Sequence, residues 1–250
     1  MNAVGRRVYG LGAIVLGVPA LFHGDFAVLG LPVPPHLPGY HLLAYASAAL
    51  LVLAGLAINL PRTAAIGALG LAGFFTLWLL VLHLPHALAK PAEWVSWEAV
   101  AETTLSALGG VLAFAEAPGV EPARPAALLR IARPMFGLGL VVFGVSEFVY
   151  ARFTASLVPA WLPPSPLFWT DLTGAAQIAA GLAILSGVQA RLAATLLTAM
   201  YLGFTLLVHL PRVIAAPSSL GAWGENGVNL VLAGAAWCLV DALARAKAPG

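Results

Sequence analysis

The chain contains few charged residues. Of its 250 residues only 9% are Asp, Glu, Lys or Arg, whereas 61% are hydrophobic. A soluble domain carries about 25% charged residues, so this chain could not solvate the surface of a globular domain. Its formal net charge of +2, with no basic stripe, excludes a nucleic acid as partner. The composition therefore predicts a polytopic membrane protein whose surroundings are a lipid bilayer.

Cysteine is nearly absent as well. The one cysteine, Cys238, lies in an apolar run, so a single chain can form no internal disulfide and perform no dithiol–disulfide chemistry. The motifs HExxH, CxxC, GxSxG and the P-loop are all missing. No histidine–carboxylate spacing indicates a metal site. We expect no haem either, because at most three histidines fall within the predicted membrane.

Eight apolar stretches are long enough to cross a membrane. Proline-rich or charged breaks separate them, for example the LPVPPHLPG stretch at 31–39 and the VPAWLPPSP stretch at 158–166. We therefore predict an all-α membrane protein, with the first stretch as a membrane helix and not a cleaved signal. The predicted spans are residues 7–27, 40–60, 64–86, 95–115, 133–152, 167–186, 190–210 and 226–244.

The basic residues predict the orientation. Three of the twelve, Lys90, Arg152 and Arg212, fall on the side opposite the chain termini. Because cytoplasmic loops are enriched in Lys and Arg, we expect both termini to be cytoplasmic in a multi-pass protein of the cell membrane. The nine on the side of the termini are Arg6, Arg7, Arg62, Arg124, Arg130, Arg133, Arg191, Arg245 and Lys247.

The two halves of the sequence repeat. Matching motifs are GLG at 10–12 and 137–139, AGLAI at 54–58 and 180–184, and HLP at 83–85 and 209–211. The repeat predicts two tandem, pseudo-symmetric four-helix bundles. Residues 1–117 form the first, 118–132 a cytoplasmic linker and 133–250 the second. An even number of helices in each half indicates parallel repeats, related by an axis along the membrane normal.

These motifs resemble the DoxX family. A VPxxLP loop, a TGxxxxxAGLxL second helix and an HLP end to the third helix are its marks. The fuller copy lies in the second half, in residues 158–163 and 173–182, whereas the first half has Ser47-Ala48 in place of Thr173-Gly174. The resemblance implies small four-helix membrane proteins, some of them subunits of thiosulfate:quinone oxidoreductase and others tied to redox complexes. Related bundles that form disulfides use paired cysteines, which this chain lacks.

Ionisable groups concentrate on the side opposite the termini. All six histidines and seven of the ten acids fall there. At 1.5 Å per residue, Glu147 lies about 21 Å along its helix from Arg133, inside the outer half of the membrane. Ionisable groups at such depth usually mark function or face a partner.

Two roles are open for these residues. As ligand-binding or proton-relay groups we single out His23, His83, Glu98, Glu102, Glu147, His209, Glu225 and Asn229. As structural ion-pair residues we single out Asp25, Arg152, Asp171 and Arg212. Glu147 is expected to pair with Arg152 or His209, and His23 with Asp25. Glu102 and Asn229 could equally tie their helices to His83 and His209.

The sequence thus predicts a DoxX-like, redox-associated membrane protein. We expect a pocket open to the outer leaflet that binds a quinone or another small amphiphile and passes protons through the carboxylates. Any catalytic cofactor would belong to a partner subunit, so the chain would be at most one subunit of a membrane oxidoreductase. The alternatives are a transporter, a lipid-binding or solute-binding protein without chemistry, and an accessory subunit of a membrane complex.

Overall fold

The chain folds into helices joined by short loops. The computed structural model describes residues 4–27, 31–120 and 123–246, and no strand occurs in these ranges. Every helix except α6 is long and apolar enough to span a membrane, which confirms the predicted all-α membrane protein with eight spans. The helices are α1 (Val4–His23), α2 (Tyr40–Ala57), α3 (Ala64–Ala89), α4 (Trp94–Ala115), α5 (Ala123–Val149), α6 (Ala151–Leu157), α7 (Pro166–Ser186), α8 (Ala190–Ala215) and α9 (Leu220–Ala246).

Several helix ends differ from the sequence prediction. Helix α5 begins at Ala123, inside the stretch assigned to a linker. A proline is tolerated in the first turn of a helix, so a proline-containing segment need not be a linker. Helix α5 then ends at Val149, and the short α6 that follows was not predicted. Residues Glu121 and Lys247, which entered the charge count, lie outside the described residues.

The two halves repeat in their packing as well as in their sequence. A Cβ added to Gly10 of α1 would lie 2.9 Å from the carbonyl oxygen of Gly55 in α2. The counterpart in the second half, a Cβ on Gly137 of α5, would lie 2.8 Å from the carbonyl oxygen of Gly181 in α7. The first two helices of each half therefore cross at equivalent glycines, where only the absence of a side chain permits the contact.

The two four-helix repeats share one core. Helix α9 packs mainly on α1, and α4 packs on α5, so the last helix of each half lies against the first helix of the other. Within a half, the first and last helices hardly touch. Helices α4 and α9 also contact each other and are the most buried of the eight, whereas α2, α3, α7 and α8 form the periphery. The tandem bundles are thus interlocked and not separate.

Helices α3 and α8 each contain one wide, π-helical turn. These turns span Leu79–His83 and Thr205–His209, and each lies just before the proline of the HLP motif. Proline has no N–H and its ring clashes with the preceding turn, which favours such a local widening. In α8 the turn is held by Asn229 of α9, whose Nδ2 donates to the carbonyl oxygen of Tyr201 and to Oγ1 of Thr205, both at 2.7 Å.

Candidate ligand-binding site

A cavity of about 550 Å³ lies within the second half of the chain. It is lined by residues of α4 to α8, of the loop between α6 and α7, and by Leu232 of α9, near the side of the membrane on which α1 ends and α4 begins. We call this the distal side, because it is opposite both ends of the described chain. Most of the wall is apolar, including Phe143, Phe153, Leu162, Phe204 and Leu207. The first half contributes to this cavity through α4.

Polar groups from four helices converge in the cavity. They are Glu98 of α4, Glu147 of α5, Gln177 of α7, and Tyr201 and His209 of α8. Gln177 Nε2 donates to Glu147 Oε1 at 3.2 Å, and the Tyr201 hydroxyl donates to Gln177 Oε1 at 3.5 Å. The other carboxyl oxygen, Glu147 Oε2, is buried without a hydrogen-bond partner. The three side chains therefore form a hydrogen-bonded chain that ends in the carboxyl group of Glu147 at the cavity wall.

The carboxyl groups of the site have no cationic partner. Glu98, Glu147 and Glu102, which lies one turn deeper on α4, take part in none of the ion pairs formed within residues 4–27, 31–120 and 123–246. Glu102 Oε1 is also buried and without a hydrogen bond. A carboxyl group in such surroundings is stable only if it is protonated or meets a positive charge. The site therefore offers either acidic hydrogen-bond donors or negative charge to a ligand.

Two predicted pairings, of Glu147 with Arg152 and of Glu102 with His83, are wrong. Arg152 lies exposed on α6 and makes no ion pair with Glu147, because the helix break after Val149 takes Arg152 off the face of α5. His83 is fully buried, but both of its ring nitrogens lack a hydrogen-bond partner. His83 and Glu102 therefore do not tie α3 to α4.

The expected pair between His23 and Asp25 is also absent. The ring nitrogens of His23 lie 2.8 Å from the carbonyl oxygen of Pro19 and 2.9 Å from that of Ser218. Asp25 Oδ1 accepts from the Tyr40 hydroxyl at 2.5 Å. His23 thus ties the end of α1 to the loop before α9, and Asp25 ties the loop after α1 to α2. Neither side chain lines the cavity.

Glu225 and Asn229 of α9 contact α8 and do not line the cavity. Glu225 forms an ion pair with Arg212 and lies 3.8 Å from His209 Nδ1. Asn229 holds the wide turn of α8, as described above. The prediction that Glu225 and Asn229 line the pocket is therefore wrong, because both face α8. Asp171 is exposed and makes no ion pair in the part of the chain that the structure describes, contrary to its expected structural role.

The first half has no equivalent of the polar cluster. At an offset of 126 or 127 residues, Glu147, Gln177 and Tyr201 correspond to Ala20, Leu51 and Phe75. These three apolar residues are buried. The sequence analysis missed Gln177 and Tyr201, although their mismatch with the first half was the signal that could have found them.

Aromatic side chains occupy the equivalent position in the first half. Phe153, Met200 and Phe204 line the cavity, and the same offsets place Phe26, Phe74 and Trp78 at their positions in the first half. These three pack together, with ring centroids 4.7 Å apart for Phe74 and Trp78 and 5.6 Å apart for Phe26 and Trp78. The rings of the first half thus contact one another, whereas their counterparts in the second half line a cavity.

Comparison with known proteins assigns no function. A family model described as a domain of unknown function (DUF8561) matches residues 136–237. The matched segment runs from α5 into α9 and includes the walls that α5 to α8 give to the cavity. No curated protein and no solved structure matches the chain. The resemblance to the DoxX family therefore stays a prediction.

Proposed function

We propose that this membrane protein binds a small amphiphile in the cavity of the second half, with a quinone head group as the ligand class. One observation carries the proposal. The cavity of about 550 Å³ has mostly apolar walls, and its carboxyl groups, those of Glu98 and Glu147, form no ion pair within the residues that the structure describes. Pockets of this volume, lined by apolar residues with a few convergent polar groups, are typical of small-ligand sites.

The polar groups suit a quinone in particular. A protonated carboxyl group and a tyrosine hydroxyl each donate one hydrogen bond and a glutamine amide donates two, whereas quinone carbonyl oxygens only accept. Tyr201 donates to Gln177, and Gln177 donates to Glu147, so the two residues position the carboxyl group of Glu147, which would exchange the proton with a bound head group. Electrons would come from a partner subunit, as the resemblance to the DoxX family implies.

A second candidate ligand is a lipophilic cation. It is favoured by the same unpaired carboxylates together with the aromatic rings of Phe143, Phe153 and Phe204 in the wall, since both attract a desolvated positive charge. In that case the chain would bind or transport a cationic amphiphile without redox chemistry.

The repeat supplies a sharp test. We expect the triple variant E147A/Q177L/Y201F to fold, because the first half holds those same three residues in the same packing positions. Each lost hydrogen bond to a ligand costs about 0.5–1.5 kcal/mol, and more where a charge is involved. Affinity for decylubiquinone in nanodiscs, measured by titration, should therefore fall at least about tenfold.

The matched control is Glu93→Gln. Glu93 is an exposed carboxylate on the distal side that faces Lys90 at 3.2 Å, away from the cavity, so this variant should bind like the wild type. Dodecyltrimethylammonium serves as the cationic probe. If it binds and decylubiquinone does not, the second candidate is correct. If the triple variant retains full affinity for the probe that binds, the cavity is not the site.

A further inference from the structure

A second cavity, of about 340 Å³, lies between α7 and α8. Every residue that lines it is apolar except Gln189, and alanines form much of the wall. Met200 lines both this cavity and the larger one. We call the second cavity the lateral groove. It adjoins the larger cavity at Met200 and extends from there toward the start of α8.

The repeat explains why the groove exists. In the first half, a Cβ on Gly67 of α3 would lie 2.5 Å from the backbone nitrogen of Ile58, so α3 packs closely against the end of α2. The corresponding residue of α8 is Ala193, whose methyl group prevents the same approach. The α7 residues Ala176 and Ala179 stand where α2 has the larger Leu50 and Leu53. The second half therefore lacks the close contact, and it has smaller side chains beside the groove than Leu50 and Leu53, which are 40% and 65% exposed in the first half.

The groove is open to the bilayer. Its lining residues Leu192 and Leu196 are 53% and 62% exposed, and Ala176 and Ala179 are exposed as well. Because α7 and α8 are peripheral helices, these exposed side chains face lipid. From Gln189 to Met200 the groove follows α8 for eleven residues, or about 16 Å. It is thus an open apolar groove that begins beside the larger cavity and follows α8 toward the opposite side of the membrane.

We propose that the lateral groove holds the single hydrocarbon tail of the amphiphile whose head group occupies the larger cavity. This inference rests on the proposed function and narrows the ligand to a molecule with one long alkyl or isoprenoid chain. A chain in the groove meets only apolar side chains until Gln189, and the shared Met200 puts its first carbons next to the head group. Entry is sideways, from the bilayer.

The first test uses two quinones that differ only in their tails. Decylubiquinone carries a ten-carbon chain, and 2,3-dimethoxy-5-methyl-1,4-benzoquinone has none. In the variant A176L/A179L, which carries the first-half residues, we expect the two larger side chains to reduce the volume of the groove, because both positions line it. We expect the affinity for the tailed quinone to fall about tenfold, as when a few methylene groups lose their burial, while the affinity for the tail-free quinone stays unchanged. Ala175→Leu, on the same helix but outside the groove, should change neither.

The second test probes the groove directly, with an alkyl chain that carries no quinone head group. A decyl alcohol bearing a terminal photoreactive diazirine should label peptides of α7 and α8 in the wild-type chain, and the labelling should saturate. Excess decylubiquinone should compete with it.

The outcomes separate the two proposals. Unchanged affinity of A176L/A179L for the tailed quinone, or an equal loss in Ala175→Leu, overturns the groove proposal while the head-group site stands. Labelling that does not saturate also overturns it, as does labelling that a bound tailed quinone cannot displace, since ordinary lipid would then fill the groove. If neither quinone binds the wild type but the alcohol labels saturably and A176L/A179L abolishes this, the quinone assignment fails and the tail site stands.

Discussion

Glu116 allows a test of whether burial or an ion pair has the larger effect on the pKa of a carboxyl group in this protein. It follows α4 at the side of the membrane where the described chain begins, and its side chain is only 5% exposed. Arg245 Nη2 of α9 donates to Glu116 Oε1 at 2.7 Å. Burial raises the pKa of Glu116 to about 7, and nearby Asp241 acts in the same direction, although Arg245 opposes both. Burial therefore outweighs the ion pair.

The sign of the pH effect follows from this shift. Because the pKa of Glu116 is higher in the folded state than the ordinary value of 4.5, its contribution to stability is fully present below about pH 4.5 and is lost as the pH rises through 7. The difference between the two pKa values corresponds to about 3 kcal/mol. Glu116→Gln keeps the shape and the neutral state of the protonated acid, so it should remove this loss.

The measurement is thermal unfolding in detergent at pH 5 and pH 8. We expect Glu116→Gln to match the wild type at pH 5 and to be more stable at pH 8, with Glu93→Gln as the exposed control. The contrary result would be a variant that is destabilised at pH 8. Loss of one partner from a dominant buried ion pair costs about 3–5 kcal/mol, and that outcome would show that Arg245 decides the energy of the site.

Two further predictions concern packing and topology. A Cβ on Gly234 would lie 2.3 Å from the backbone nitrogen of Tyr9, so Gly234→Ala should separate α9 from α1 and cost at least about 1–3 kcal/mol in thermal unfolding. Gly73→Ala, where an added Cβ meets nothing within 4 Å, should cost nothing. For topology, cysteines at Lys90 and Arg62 should react from opposite sides of the membrane in a background without the native cysteine. Labelling of position 62 from outside intact cells would contradict cytoplasmic termini.

The sequence was sufficient for the architecture because membrane helices are specified by length and apolarity alone. Each predicted span overlaps one long helix of the structure. Helix ends were harder, as at α5, because proline both ends helices and begins them. The wide turns before Pro85 and Pro211 follow from the chemistry of proline but not from periodicity, which gives no sign of one extra residue in a turn.

The candidate site was predictable only in part. Of the eight ligand-binding or proton-relay candidates, three line the cavity: Glu98, Glu147 and His209. The other five do not: His23, His83, Glu102, Glu225 and Asn229. The ion-pair and hydrogen-bond partners of these residues could not be predicted, because they depend on which helices are neighbours. Glu102 was expected to meet His83 within the first half, but α4 also packs on α5 of the second half. Contacts between helices of different halves cannot be deduced from the sequence of either half alone.

The packing between the two halves also bears on two corresponding carboxylates, Glu98 and Glu225, which have different partners. Glu98 and Glu225 occupy corresponding positions at the starts of α4 and α9. Glu225 is neutralised by Arg212, whose first-half counterpart is His86. His86 lies 3.8 Å from Glu93, and Glu98 is left without a cation in the described part of the chain.

One exchange at the end of the third helix of each half, Arg212 against His86, therefore accompanies this difference. Glu225 has an arginine partner, whereas Glu98 has none in the described part of the chain. That acid projects from the first half into the cavity of the second. The site that we propose is thus not a property of either four-helix repeat. The second repeat supplies most of the cavity wall, in which Gln177 and Met200 stand where the first repeat has Leu51 and Phe74. The first repeat supplies the carboxyl group of Glu98, which has no neighbouring arginine in the described part of the chain.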